Sequence, residues 1–297
     1  MSKIIFVGDV HLKGSNPISR KDNYAEVILN KIKFIREYAT SIDCSSIIFL
    51  GDIFDTVNTS LQYFSRCLSI FKEFAVHGID LYTIVGNHDL RYDSMDTLSV
   101  TPLGILIESG AIKLLDSLTI DDVYIQGCHF PDTPKNNNNV DLYSILLLHR
   151  FYESGFNEEP ITKDNMISLG YDTYILGHDH RPYTTIRIED VKDIHVIRPG
   201  SLARNSSDSY NKIRKPRILV MDTETKEFHY VEVPSESSKE IFFEKEEEST
   251  LSMAELVEYL RSSYHTSNDS IRSYIETAEI PDDIKSLIQT YLDILGA

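Results

Sequence analysis

Compact apolar runs alternate along the first third of the chain with stretches whose apolar residues recur every three or four positions. Residues 4–7, 47–50 and 81–85 are of the first kind, the pattern of strands buried on both faces. Between them, Tyr24, Ile28, Ile32, Ile35 and Ala39, and then Leu61, Phe64, Leu68, Phe71 and Ala75, form the apolar stripes of two helices. Gly78 is placed to end the second. A β-α-β-α-β order winds right-handed into parallel sheet, whose ligand sites lie beyond the carboxyl ends of the strands. Asp9, Asp52 and Asn87 all fall at such ends.

Further strands are predicted at 123–127, 143–148, 171–176, 183–188 and 194–197 with few long helices between them, so the second half is expected to be more antiparallel. The fold class that follows is α/β: two packed mixed sheets flanked by helices, with a small C-terminal hairpin and a helical tail. The pattern divides the chain into a main domain over 1–215, a hairpin over 216–234, an acidic Ser- and Glu-rich linker over 235–250 and a helical region over 251–297. In that last region Ser252 and Glu255 make a capping box. After Pro281, the residues Ile284, Leu287, Ile288, Tyr291, Leu292 and Leu295 make one stripe that either packs on its own chain or docks into a partner's groove.

With 297 residues, 41% of them hydrophobic, the chain can bury a sizeable core. No stretch reaches the roughly 20 apolar residues of a membrane span. Met1-Ser2-Lys3 leads directly into a core strand with no cleavage site, which predicts a cytoplasmic protein. Cys44, Cys67 and Cys128 are too scattered for a disulfide framework and are expected to be reduced. The net charge of -17 argues against a protein that coats nucleic acid, but not against a nuclease, because bound cations would be the largest charges a phosphate meets there. The one basic stretch carries Arg198, Arg204, Lys212, Arg214, Lys215 and Arg217 against Asp208. It is either a solvated loop or a surface that steers a phosphodiester, with Arg198 and Arg204 as the substrate-binding candidates.

Histidines change the picture most. Gly8-Asp9-Val10-His11, Gly51-Asp52-Ile53-Phe54-Asp55, Gly86-Asn87-His88-Asp89, His149 and Gly177-His178-Asp179-His180 each follow an apolar run. Imidazole and carboxylate suit divalent ions, and strand ends on a rigid scaffold can aim them inward. The spacing assigns Asp9, His11, Asp52 and His180 to one ion, and Asp52, Asn87, His149 and His178 to another, with Asp52 bridging. Such a pair would hold a bridging hydroxide as nucleophile and orient a phosphate for in-line displacement. His88 is expected to face the leaving oxygen as a general acid or cationic stabiliser, with Asp89 orienting its ring. Asp55 is expected to hydrogen-bond a ligand rather than to be one. His77, His129, His195, His229 and His265 read as ordinary loop or surface histidines, His129 being nearest to a strand end.

With D-x-H, G-D-x-x-D, G-N-H-D, a later His and G-H-x-H in this order, residues 1–200 resemble the calcineurin-like metallophosphoesterases. Within that superfamily the Gly86-Asn87-His88-Asp89 form, the Arg198-Pro199-Gly200-Ser201 turn, the hairpin and the helical tail are most similar to the SbcD-type DNA-repair nucleases. That resemblance implies a manganese-dependent exonuclease and endonuclease from a bacterium or phage-infected cell. It also implies an SbcC-type coiled-coil ATPase bound through 251–297, and it leaves a homodimer open. Iron and zinc suit the same donors. Arg150, where many relatives have Gly or Gln, departs from the pattern, as does the short segment after the hairpin. The competing activities are a phosphatase or cyclic-nucleotide phosphodiesterase acting on a small ester, and a scaffold whose metals only stabilise it.

Overall fold

The computed structural model describes residues 2–139, 141–153, 159–181, 183–188 and 194–243. The apolar stripe beyond Pro281, with its proposed partner, and the rest of 244–297 lie outside these residues. Strands β1 (Lys3–Val7), β2 (Ser46–Phe49) and β3 (Asp80–Thr83) alternate with helices α1 (Tyr24–Ser41) and α2 (Leu61–Val76). The Asn23 side chain accepts from Glu26 N to start α1, and Ser60 does the same from Tyr63 N for α2. Gly78 follows α2 at φ +70°, a left-handed position that glycine adopts without strain.

A short helix α3 (Pro102–Glu108) and strand β4 (Lys113–Leu114) follow, then β5 (Ser117–Ile120), β6 (Val123–Cys128), β7 (Tyr143–His149), α4 (Lys163–Leu169), β8 (Thr173–Gly177), β9 (Tyr183–Ile188) and β10 (Ile194–Arg198). The chain then forms α5 (Ser209–Ile213), β11 (Arg217–Asp222), β12 (Phe228–Glu232) and α6 (Ser238–Ile241). Two six-stranded sheets result, in the orders β12-β11-β1-β2-β3-β4 and β5-β6-β7-β8-β10-β9. The β11–β12 hairpin extends the first sheet by antiparallel pairing of β11 with β1.

The expectation of a more antiparallel second half is corrected. Strands β6, β7, β8 and β10 of the second sheet are mutually parallel, and within that sheet only the edge pairs β5–β6 and β9–β10 are antiparallel; the other antiparallel strands of the second half are those of the hairpin. Loops and the seven-residue α4 are sufficient crossovers there, and they leave little helical periodicity to read. The linker expectation also changes at its start: Ser238–Ile241 is helical, and Ile241 and Phe242 are buried against the domain.

Alternation along β1 sets the layers. Ile4 and Phe6 join Ile48, Leu50, Ile145, Leu147 and Ile175 between the sheets. Ile5 and Val7 pack with Ile28, Ile32 and Phe71 of the helices outside. Leu146, Leu148 and Leu176 pack on Met166 and Leu169 of α4. Because β1, β2, β3, β7 and β8 run parallel within their sheets, their carboxyl ends and the turns beyond carry Asp9, Asp52, Asn87, His149 and His178. Among the described residues no helix is long and apolar enough to cross a membrane.

Candidate metal centre

The turns that present these side chains are tightly specified. Val10 N and His11 N both donate to Asp52 O at 3.0 Å, tying the turn after β1 to the turn after β2. His11, Asp52 and His178 hold left-handed φ angles of 51°, 48° and 81°, sparsely populated for residues with a β-carbon. Gly51, at φ +89°, lets the chain pass against His149: an added β-carbon would lie 2.6 Å from its Nδ1.

Two clusters of donors adjoin at Asp52, and His11, Asp52 and His88 form a third, overlapping group that links them. In the first, Asp9, His11 and His180 each offer a ligand atom, all within 4.8 Å of one another. In the second, Asp52, His149 and His178 do the same. Asn87 joins the second, its Oδ1 lying 3.0 Å from His149 Nε2 and 3.1 Å from His178 Nδ1. Asp52 Oδ2 lies 3.8 Å from His11 Nε2 and 3.3 Å from His149 Nε2, between the two.

The donor set fits divalent cations. His11 Nε2 and His180 Nε2 approach to 2.8 Å. Burial first, and then the neighbouring His11, pushes the His180 imidazole down to about 4, so its lone pair is available. A second lone pair is fixed on His149, because its Nδ1 is 2.7 Å from Leu50 O and donates there. The remaining Nε2 then faces Asn87 Oδ1, Asp52 Oδ2 and His178 Nδ1, acceptors that want a cation among them. Burial lowers the His149 imidazole, but the charge and hydrogen bond of Asp52 outweigh it and raise it to about 10. A bound cation would displace that proton. Asp9 Oδ1 accepts from His178 N at 2.8 Å, whereas its buried Oδ2 has no hydrogen-bond partner among the described residues.

His88 is exposed at the rim. Its backbone N donates to Asp52 Oδ1 at 2.9 Å, and its Nδ1 lies 2.6 Å from Asp55 O, leaving Nε2 at the other edge of the ring. The expected orienting role of Asp89 is therefore corrected, since the carbonyl of Asp55 holds the imidazole. Asp89 instead accepts from Ile53 N, Phe54 N and Gly86 N at 3.1, 3.3 and 3.0 Å, stapling the second and third turns together. Burial, then the charge of Asp52, raises its carboxyl to about 7 against the pull of those donors. The Asp55 carboxylate stands 3.5 Å from His11 Nδ1 and takes the Lys13 ammonium at 2.7 Å. Burial opposes its ionisation, but His11 and Lys13 hold it well below the usual carboxylate range. His129 belongs to neither cluster; it accepts from Val85 N and meets Asp116.

Arg198 and Arg204 are corrected as substrate candidates. Their exposures are 2% and 3%. Arg198 pairs with Asp179 at 2.6 Å, and Arg204 donates to the carbonyls of Asn211 and Glu236. A charge seen in sequence does not say whether backbone carbonyls distant along the chain will enclose it. Other residues of the site carried no separable signal. The segment Ser201–Ala203 bonds to Asp9 O and His180 O, and Arg214 binds Ser201 O at 2.6 Å and the carbonyl of Ala203. Arg150 donates to the carbonyls of Pro131 and Asp132.

The family model for calcineurin-like phosphoesterases matches residues 2–182. A DNA double-strand break repair protein Mre11 of Methanosarcina acetivorans is 20% identical over 250 residues, covering 78% of this chain and 39% of the relative. The chain thus spans about two fifths of the length of that curated relative. A solved structure, TT1561 of Thermus thermophilus, aligns over 78% of this chain and 99% of its own with 8% identity and a TM-score of 0.48.

Proposed function

The chain belongs to the calcineurin-like phosphoesterases, and from that membership we propose that it is a manganese-dependent DNA nuclease acting in repair, recombination or replication. The observation that carries this reading is the convergence of seven side chains from five strand ends on two adjoining donor clusters. Asp9, His11, Asp52 and His180 would hold one divalent ion, and Asp52, Asn87, His149 and His178 the other. The family's dinuclear centre, when bound, polarises phosphate oxygens and lowers the pKa of water. Manganese suits this mixture of nitrogen and oxygen donors, as do iron and zinc. His88 is the proposed general acid: with Nδ1–H on Asp55 O, its Nε2 can deliver a proton to the departing oxygen. The first cluster is braced from behind by Asp55 on His11.

The DNA reading draws on the double-strand break repair relative, and an SbcC-type ATPase partner through 251–297, or a homodimer, stands or falls with it. Manganese with linear or single-stranded DNA should give cleavage that a chelator stops. His88→Ala should lower the rate by about 10²–10⁴-fold while elemental analysis finds metal content retained. A fully loaded wild type that cuts no DNA would end the nuclease reading. A phosphatase or cyclic-nucleotide phosphodiesterase is the second reading, favoured by the small cavity of about 340 Å³ beside the clusters. Turnover of a small ester without DNA cleavage would select it.

A further inference from the structure

The cavity of about 340 Å³ is lined by His178 and His180 of the donor clusters and by Phe151, Tyr210, Asn211 and Asp208. That size is at the small end of ligand pockets, which span roughly 300–1,000 Å³, and it gives room for one nucleoside. Apart from the Tyr210 hydroxyl, which is buried with no hydrogen-bond partner among the described residues, the polar groups of Asp208 and Asn211 are already engaged. Asp208 accepts from Asn211 N at 2.7 Å, Asn211 Nδ2 donates to Ser206 Oγ and Asp208 Oδ2, and Asn211 Oδ1 accepts from Arg214 Nε at 2.7 Å. What remains on offer is the aromatic surface of Phe151 and Tyr210, both half-buried, together with the Tyr210 hydroxyl. Arg181 and Asp179 also line the cavity and pair with each other at 2.8 Å, so the Asp208 carboxylate sets the local charge, which would repel a second phosphate and tolerate a neutral group. Phe151 stands where the cavity meets the donor clusters, its ring edge-on to His178 with centroids 4.2 Å apart.

We propose that this cavity is a subsite for the nucleoside carried on the scissile phosphate, with Phe151 as its stacking surface. This deepens the phosphodiesterase reading above and rests on it. His88 is not among the residues lining the cavity, so the nucleoside held there is the one retained on phosphorus. In the hydrolysis, water forms the new P–O bond and gives up a proton to solvent, while the P–O bond to the alcohol or phenol breaks and its oxygen leaves towards His88, which supplies a proton to it.

Thymidine 5′-(4-nitrophenyl phosphate), its 3′ isomer and methyl 4-nitrophenyl phosphate share one leaving group and differ in what phosphorus retains. With manganese, the wild type should prefer the better thymidine ester over the methyl ester by about tenfold or more in kcat/KM, chiefly through KM. Phe151→Leu should bring that ratio close to one, and Phe151→Tyr should keep it. Equal turnover of the esters by the wild type, or a loss in Phe151→Leu shared equally by both, would overturn the subsite and leave the hydrolase reading standing. If no ester is turned over, the phosphodiesterase reading falls, and binding decides the subsite. Saturation-transfer NMR of thymidine with the metal-free protein should show enhancements that Phe151→Leu removes. Their absence, or their persistence in the variant, would overturn it.

Discussion

Asp89 shows how much of the centre depends on a residue that touches no donor cluster. Its two oxygens take three backbone N–H groups, from Ile53, Phe54 and Gly86, and so lock the turn carrying Asp52 to the turn carrying Asn87 and His88. Asparagine has nearly the same shape but one acceptor oxygen, and its amide would meet an N–H with another N–H. Each buried donor left unmet costs about 1–3 kcal/mol. A domain of this size loses roughly 2–4 °C of Tm per kcal/mol, so Asp89→Asn should melt several degrees below the wild type and bind manganese more weakly. An unchanged melting temperature would refute the stapling role. The left-handed backbone at His11, Asp52 and His178 adds to the need for such staples, because each such residue costs on the order of 1–3 kcal/mol that its surroundings must offset.

Turns between elements, rather than the strands, decide where the donors point. Gly177 ends β8, and an added β-carbon there would lie 2.9 Å from His149 Nδ1 and clash with Leu50 O. Gly177→Ala should therefore dislodge His149 from its carbonyl and weaken manganese binding in a calorimetric titration, with circular dichroism unaltered; full affinity would show that the turn has slack. On the other side, Arg214 clamps the segment that bonds to Asp9 and His180. Losing charge-assisted bonds worth about 1.5–3 kcal/mol each, Arg214→Met should lower both stability in urea and metal affinity. Much of this element scale was legible in the sequence. Continuous runs such as Ile4-Ile5-Phe6-Val7 and the α1 and α2 stripes gave the β-α-β-α-β half, because burial on two faces and on one face leave different periods. The parallel pairing of β6, β7, β8 and β10 was not legible, since a short helix and loops make their crossovers. Nor was the placement of Asp89, Arg198 and Arg204. Their partners are backbone groups, or in the case of Arg198 a carboxylate, brought near only by the fold.

At the scale of the whole molecule, charge opposes the proposed substrate. The chain carries -17, and three arginines of its one basic stretch, Arg198, Arg204 and Arg214, are buried rather than displayed. Within 244–297, twelve acidic residues face only four basic ones, so that segment contributes to the repulsion and not to a cationic grip. A protein that holds DNA through many exposed cations loses affinity steeply as salt rises, by counterion release. Here the long-range term has the opposite sign, and it is screened beyond about 30 Å at 10 mM salt but beyond about 10 Å at 100 mM. Accordingly, kcat/KM for a long DNA should stay level or rise between these salt concentrations at saturating manganese. The value for thymidine 5′-(4-nitrophenyl phosphate), a monoanion that depends on short-range contacts, should scarcely move. A tenfold or greater fall on DNA alone would reveal a displayed basic surface and refute an electrostatic field made attractive only by the bound ions.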